Sequence, residues 1–152
     1  MPALNVSEDV KSRLNMLLAD AVVYHYKLHN YHWFVKGHRF EELHEKFEEL
    51  YNNASQDLDE VAERVLSVGG EPLGTLAECL KISQLSEETG RPSPDEMLKS
   101  VIADLKKRHA TSMSTIEAAE KEGDRGTANL LDDMNDRIEK DLWMLESSLP
   151  RE

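Results

Sequence analysis

The sequence predicts an all-α protein, a bundle of four long helices with one long crossover, and three observations carry that prediction. Apolar residues recur at steps of three and four along four separate stretches of the chain. Charged residues make up 32% of the chain and aromatics 6%, a balance that suits long solvated helices and disfavours β-rich or low-complexity classes. The gaps between the four stretches run short, long, short. At 152 residues the chain fits one domain, 1–152, with a core large enough to need no staples.

The first helix starts at Ser7, a natural N-cap followed by Glu8 and Asp9, which favour the positive end of the helix dipole. Its stripe runs Val10, Leu14, Leu17, Leu18, Ala21, Leu28, and Gly37 supplies the stop. The second covers Phe40 to Val68 through Leu43, Phe47, Leu50, Ala54, Leu58, Val61 and Val65, and ends at Gly69-Gly70. The third opens on Ser93-Pro94-Asp95-Glu96, a capping box with proline at the first helical position, and carries Met97, Val101, Leu105, Met113 and Ile116 to Gly123. The fourth starts by about Thr127 and carries Leu130, Leu131, Met134, Ile138, Leu142, Leu145 and Leu149 before Pro150.

Only a few residues join the first helix to the second and the third to the fourth, so each pair must be an antiparallel hairpin. Between the second and third lie 22 residues, Gly70 to Arg91, where Leu76-Ala77-Glu78-Cys79-Leu80 suggests one short helix. A connection of that length runs the height of a bundle, and the pattern is that of a ferritin-like four-helix bundle.

Composition also excludes functions. The lone Cys79 rules out an intrachain disulfide framework and a cysteine-based zinc knuckle, and agrees with a reducing compartment. No apolar run approaches the ~18 residues of a membrane span, and Met-Pro-Ala-Leu-Asn-Val lacks a signal-peptide pattern, so a cytoplasmic, membrane-free protein is expected. A net charge of −12 argues against nucleic acid, whose phosphates need clustered Lys and Arg, and favours cations.

Two features carry chemistry. On the first helix the apolar stripe continues Ala21, His25, Leu28, His32, with His29 one turn from His25, so histidines stand at positions that spacing assigns to the buried face. On the second helix His44, Glu48, Asn52, Ser55, Asp59 and Glu63 follow one another at steps of four or three along one flank. A solvated charged face is the ordinary explanation of such a row. His44 and Asp59 are about 22 Å apart along a helix, too far to share an ion within one chain. Positions 44 and 63, and likewise 48 and 59, are nevertheless symmetric about a point between residues 53 and 54. If this helix packs antiparallel on its copy across a two-fold axis there, His44 meets the copy's Glu63 and Glu48 the copy's Asp59. Each end then gathers histidine and carboxylate donors, with His32 arriving from the same hairpin, a set suited to Fe(II) or another first-row divalent ion. The competing intrachain site would use the Glu-x-x-His of Glu41 and His44, but no second such unit exists in the chain.

The segment Asn30-Tyr31-His32-Trp33-Phe34-Val35-Lys36-Gly37, then Phe40, Leu43-His44-Glu45-Lys46-Phe47, Tyr51, Asp59-Glu60-Val61-Ala62-Glu63-Arg64 and Gly70-Glu71-Pro72-Leu73-Gly74-Thr75 resembles the signature of Dps-family miniferritins, and most of all their non-DNA-binding branch. The likeness spans the whole chain. It implies a hollow shell of twelve subunits, a homo-oligomer with ferroxidase centres at its two-fold interfaces. His32 and His44 match the ligands of one subunit, Asp59 and Glu63 those of its neighbour, and Glu48 stands where many members have an additional Asp. The activity implied is oxidation of Fe(II), preferentially by hydrogen peroxide, with iron held as a di-iron pair and the ferric product stored as mineral, in defence against oxidative stress. It also implies acidic pores at three-fold axes, lined by the start of the last long helix; here Asn129 replaces a frequent Asp, and Asp132, Asp133 and Asp136 are the candidate liners. Trp33, next to a matched ligand, is expected to pack, with quenching of stray oxidising equivalents as its alternative role.

DNA-binding members of that family carry lysine-rich tails. Here the six residues before Ser7 hold no Lys or Arg, and the other tail has one Arg offset by one Glu. A nucleoid-compacting DNA binder with secondary iron chemistry is therefore the runner-up, and an acidic helical scaffold whose histidines only pack is the third reading.

Overall fold

The computed structural model describes residues 5–150, so parts of both tails considered above lie outside the described residues. Five helices follow one another: α1 (Glu8–Phe34), α2 (Phe40–Ser67), α3 (Leu76–Ile82), α4 (Pro94–Lys121) and α5 (Arg125–Ser147). The four long ones form the bundle, α1 pairing with α2 and α4 with α5, while α1 packs on α4 through the middle. The crossover carries α3, which lies against α1. The expected all-α, ferritin-like architecture with a short helix in the crossover is the one observed.

The caps explain the boundaries. Ser7 Oγ accepts from Val10 N–H, and Ser93 and Glu96 form the reciprocal capping box at the start of α4. The last helix begins two residues before the expected start, because Asp124 accepts from Thr127 N–H and so recruits Arg125 and Gly126 into its first turn. Gly37 adopts φ 108°, a left-handed value that a side chain would strain, and this lets five residues reverse the chain between α1 and α2.

The core runs the length of the bundle. Val10, Leu14, Leu28, Phe47, Val65, Leu98 and Leu131 are fully enclosed, each stabilising the fold by about 1.5–3 kcal/mol relative to exposure. The stripes hold except at two positions: Met113 in α4 and Phe40, the first residue of α2, are exposed. Acidic and basic side chains also lie inside. Asp57 of α2 receives Arg108 of α4 at 3.1 Å and Arg137 of α5, while Lys27 of α1 pairs with Asp104 of α4 at 3.0 Å. Asp20 of α1 accepts from Ser83 Oγ and from Gln84, which fixes the end of α3 to the bundle. These bridges tie together helices that hairpin loops alone do not join.

Candidate metal centre

The short turn at Gly37 puts the last turn of α1 beside the first turn of α2, and so puts His32 beside His44. Each Nδ1 lies 2.7 Å from the other residue's backbone carbonyl oxygen. A carbonyl only accepts, so both Nδ1 atoms carry a proton, which in the neutral rings leaves the lone pair on Nε2. The rings stack at 3.7 Å and 13°, Phe40 flanks His44 at 4.9 Å, and Tyr51 meets His32 edge-on at 5.3 Å. The arrangement fixes tautomer and ring plane in the way that metal-bound histidines are usually held by their outer partners.

Glu48, one turn further along α2, brings Oε1 to 3.8 Å from His32 Nε2. That is too long for a hydrogen bond, and it is a separation that an ion bonded to both at about 2.0–2.2 Å spans. His32 is 7% exposed while the Glu48 side chain is 54% exposed, so the group opens to one side. One chain thus stacks His44 on His32 and sets Glu48 beside His32, short of a complete three-donor group.

Asp59 and Glu63 stand on the exposed part of the same helix and do not join that group. They neighbour each other, and the negative Asp59, first by charge and then by a hydrogen bond, pushes the Glu63 carboxyl above its usual range. Arg64 does nothing to relieve them: its guanidinium turns to Asp124 at 2.7 Å and Thr127 at 3.0 Å. Among the described residues no three His, Cys, Asp or Glu side chains gather into a metal-holding group within one chain. Nothing within one chain therefore favours the site built on Glu41 and His44.

Trp33 packs on Tyr26, edge-on at 6.1 Å, and on His29, tilted at 5.3 Å, and is 55% exposed in the single chain. Tyr51 is the residue whose part the pattern of α2 did not bring out. It lies one turn from Glu48, stacks on His29 at 3.7 Å and meets His32 edge-on at 5.3 Å. Its spacing of three from Glu48 was the available signal. Asn129, Asp132, Asp133 and Asp136 are exposed on α5 and enter no ion pair among the described residues.

The fold defines a ferritin-like protein. The model of the ferritin-like domain matches residues 11–151. A "DNA protection during starvation protein" of Brevibacillus brevis is 43% identical over 145 residues, covering 95% of this chain and 97% of that protein. The crystal structure of Dps from Staphylococcus aureus superposes with a TM-score of 0.93 at 40% identity, covering 99% of this chain and 100% of the other. A Dps structure from Vibrio cholerae O1, described as a member of a broad superfamily of ferritin-like diiron-carboxylate proteins, superposes at 0.91 with 30% identity and 97% of each chain. The chain belongs to the Dps family of miniferritins. Membership places it among proteins of iron storage and protection against oxidative stress. No helix among the described residues is long and apolar enough to cross a membrane.

Proposed function

We propose that the protein oxidises Fe(II) with hydrogen peroxide at centres shared between two subunits, and stores the ferric product inside a shell of twelve chains. The observation that carries this reading is the mutual lock of His32 and His44. Two imidazoles held in one tautomer, with their lone pairs on Nε2 and Glu48 beside His32, form half of a ligand set. Asp59 and Glu63, symmetric with Glu48 and His44 about the middle of α2, supply the other half from a neighbour related by a two-fold axis.

Iron is the substrate, and the residues act on it by position. The imidazoles select a first-row ion, and the carboxylates favour the harder ferric product. Holding two Fe(II) ions together lets each give one electron to the same peroxide, whose O–O bond breaks to two hydroxides, so no hydroxyl radical is released. The two like charges at Asp59 and Glu63 repel each other until a cation arrives, which favours loading. Ions reach the interior past Asp132, Asp133 and Asp136. The single buried Cys79 suits the reducing cytoplasm.

Direct DNA binding is not part of this reading, although the Brevibacillus relative is named for DNA protection. Removing Fe(II) and peroxide protects DNA without touching it, and a net charge of −12 opposes contact. Retardation of DNA in a low-salt gel shift at neutral pH would favour the runner-up.

Subunit mixing tests the shared centre. One variant carries His32→Ala with His44→Ala, the other Asp59→Asn with Glu63→Gln, and each alone is expected to oxidise iron slowly. Dissociated and reassembled together at equal amounts, they form mixed two-fold pairs in which one of the two centres is complete. About a quarter of the wild-type initial rate then returns, from the statistics of random pairing. A mixture no faster than its components would refute the intersubunit centre. The expected mass of the assembly is about 208 kDa for twelve chains of 17.3 kDa.

A further inference from the structure

The iron centre leaves two imidazoles of α1 unused. His25 and His29 are four residues apart, which sets them one above the other on the same face of the helix. Their ring centroids lie 4.8 Å apart, edge to face at 76°. The His29 ring rests flat on Tyr51 of α2 at 3.7 Å and 20°, and Tyr51 also meets His25 edge-on at 6.1 Å. The faces of the rings are therefore held by packing. Among the described residues no hydrogen bond reaches a ring nitrogen of either residue, so neither lone pair is committed to a protein donor. Both are half-buried, and burial, the main cause, holds each imidazole below its ordinary pKa, so both are neutral bases at physiological pH. His25 also forms part of the wall of a cavity of ≈ 380 Å³ between α1 and α3, across from Glu87 and Glu88, which gives solvent and ions a route to it.

We propose that His25 and His29 form a second metal site, a two-imidazole chelate for a borderline divalent ion of the Zn(II) class, one per chain and separate from the iron centre. Two histidines at this spacing on one helix are the ligand pair that zinc-binding helices use. A site with neutral nitrogen donors and no carboxylate of its own prefers Zn(II), Ni(II) or Cu(II) to Fe(II), by ligand type and by the stability order of the divalent ions. The iron centre, in contrast, is rich in carboxylates. Tyr51 fixes the plane of His29, and water completes the coordination. The inference stands apart from the iron-oxidation reading, because neither His25 nor His29 contributes to that centre.

Zinc stoichiometry tests it in a background where the iron centre has been disabled. Assembled, chelator-stripped protein carrying His32→Ala and His44→Ala is dialysed against Zn(II), and bound metal is counted per chain by elemental analysis. One tightly held Zn(II) per chain is expected to remain. Adding His25→Gln and His29→Gln should remove it, and His25→Gln alone, which leaves the stack on Tyr51 in place, should weaken it by about tenfold or more. Circular dichroism and size exclusion confirm that each variant is folded and assembled. Equal zinc binding with and without His25 and His29, or no zinc in the starting background, overturns the proposal. The count involves no iron chemistry, so its failure and a failure of subunit mixing are read separately.

Discussion

The guanidinium of Arg64 occupies the space that a side chain at Gly126 would need. A Cβ built on Gly126 would lie 2.5 Å from Nη2 and 2.7 Å from Cζ of Arg64. The same guanidinium holds Asp124, the cap of α5, which is 1% exposed. One arginine thus fastens the start of α5 to the end of α2, next to Glu63.

Gly126→Ala is expected to reverse sign with its background. In the native chain the new methyl drives Arg64 off a buried carboxylate, a loss of about 1–3 kcal/mol that exceeds the gain in helix propensity. With Arg64→Ala already present, the same change stabilises by about 0.5–1 kcal/mol. Thermal midpoints compared at one protein concentration check both signs. Stabilisation in both backgrounds would show that the guanidinium moves aside without cost.

Removing the hub of the buried charges should be severe. Asp57→Ala leaves Arg108, 2% exposed, without its carboxylate and is expected to cost about 3–5 kcal/mol. Chemical denaturation measures it, and a loss under about 1 kcal/mol would mean that Arg108 and Arg137 find other partners.

Asp141 gives a pH signature. Burial, opposed by Lys46 and Arg137, raises its carboxyl above the ordinary 3.8, so the folded chain binds that proton more tightly than the unfolded one. Its contribution to stability is therefore fully present below 3.8 and is lost as the pH rises through the raised native value. Asp141→Asn should stabilise at pH 7, by about 1 kcal/mol, and the gain should close as the pH is lowered toward the ordinary carboxylate range. A gain independent of pH would assign the effect to packing.

Replacing one histidine of the locked pair should disturb both. His32→Ala removes the ring that stacks on His44, and His44→Ala does the same to His32. Each single substitution is expected to lower the initial rate of iron oxidation about 10–100-fold, with the double substitution adding little. Losses that multiply independently would show that the two rings act separately.

Helices were legible because apolar spacing and caps speak locally. Ser7 and the Ser93–Glu96 box mark their helix starts in three or four residues, and the structure keeps both. The start of α5 was read late because Gly126 is a poor helix former, and its place depends on Arg64, distant in sequence. Lys27, Asp57, Asp104 and Arg108 carry no local sign of their burial, since nothing local tells a lone charge that its partner lies on another helix. The row from His44 to Glu63 and its symmetry were visible at once. The hydrogen bonds that decide the tautomers were not, because they run between side chains and carbonyls twelve positions away.

The bend between α1 and α2 has a consequence for permissible change. It spans residues 35–39, and the two imidazoles hang on its opposite arms. Inserting or deleting a single residue there changes the reach of the bend, and wherever α2 absorbs the change His44 turns by about 100° around its axis and slides about 1.5 Å, separating the pair. Apart from buried Val35 and left-handed Gly37, the residue types in the bend are free to drift, whereas its length is not. Variants of this chain that keep the histidines should therefore tolerate substitutions at Lys36, His38 and Arg39 far better than any change in residue number.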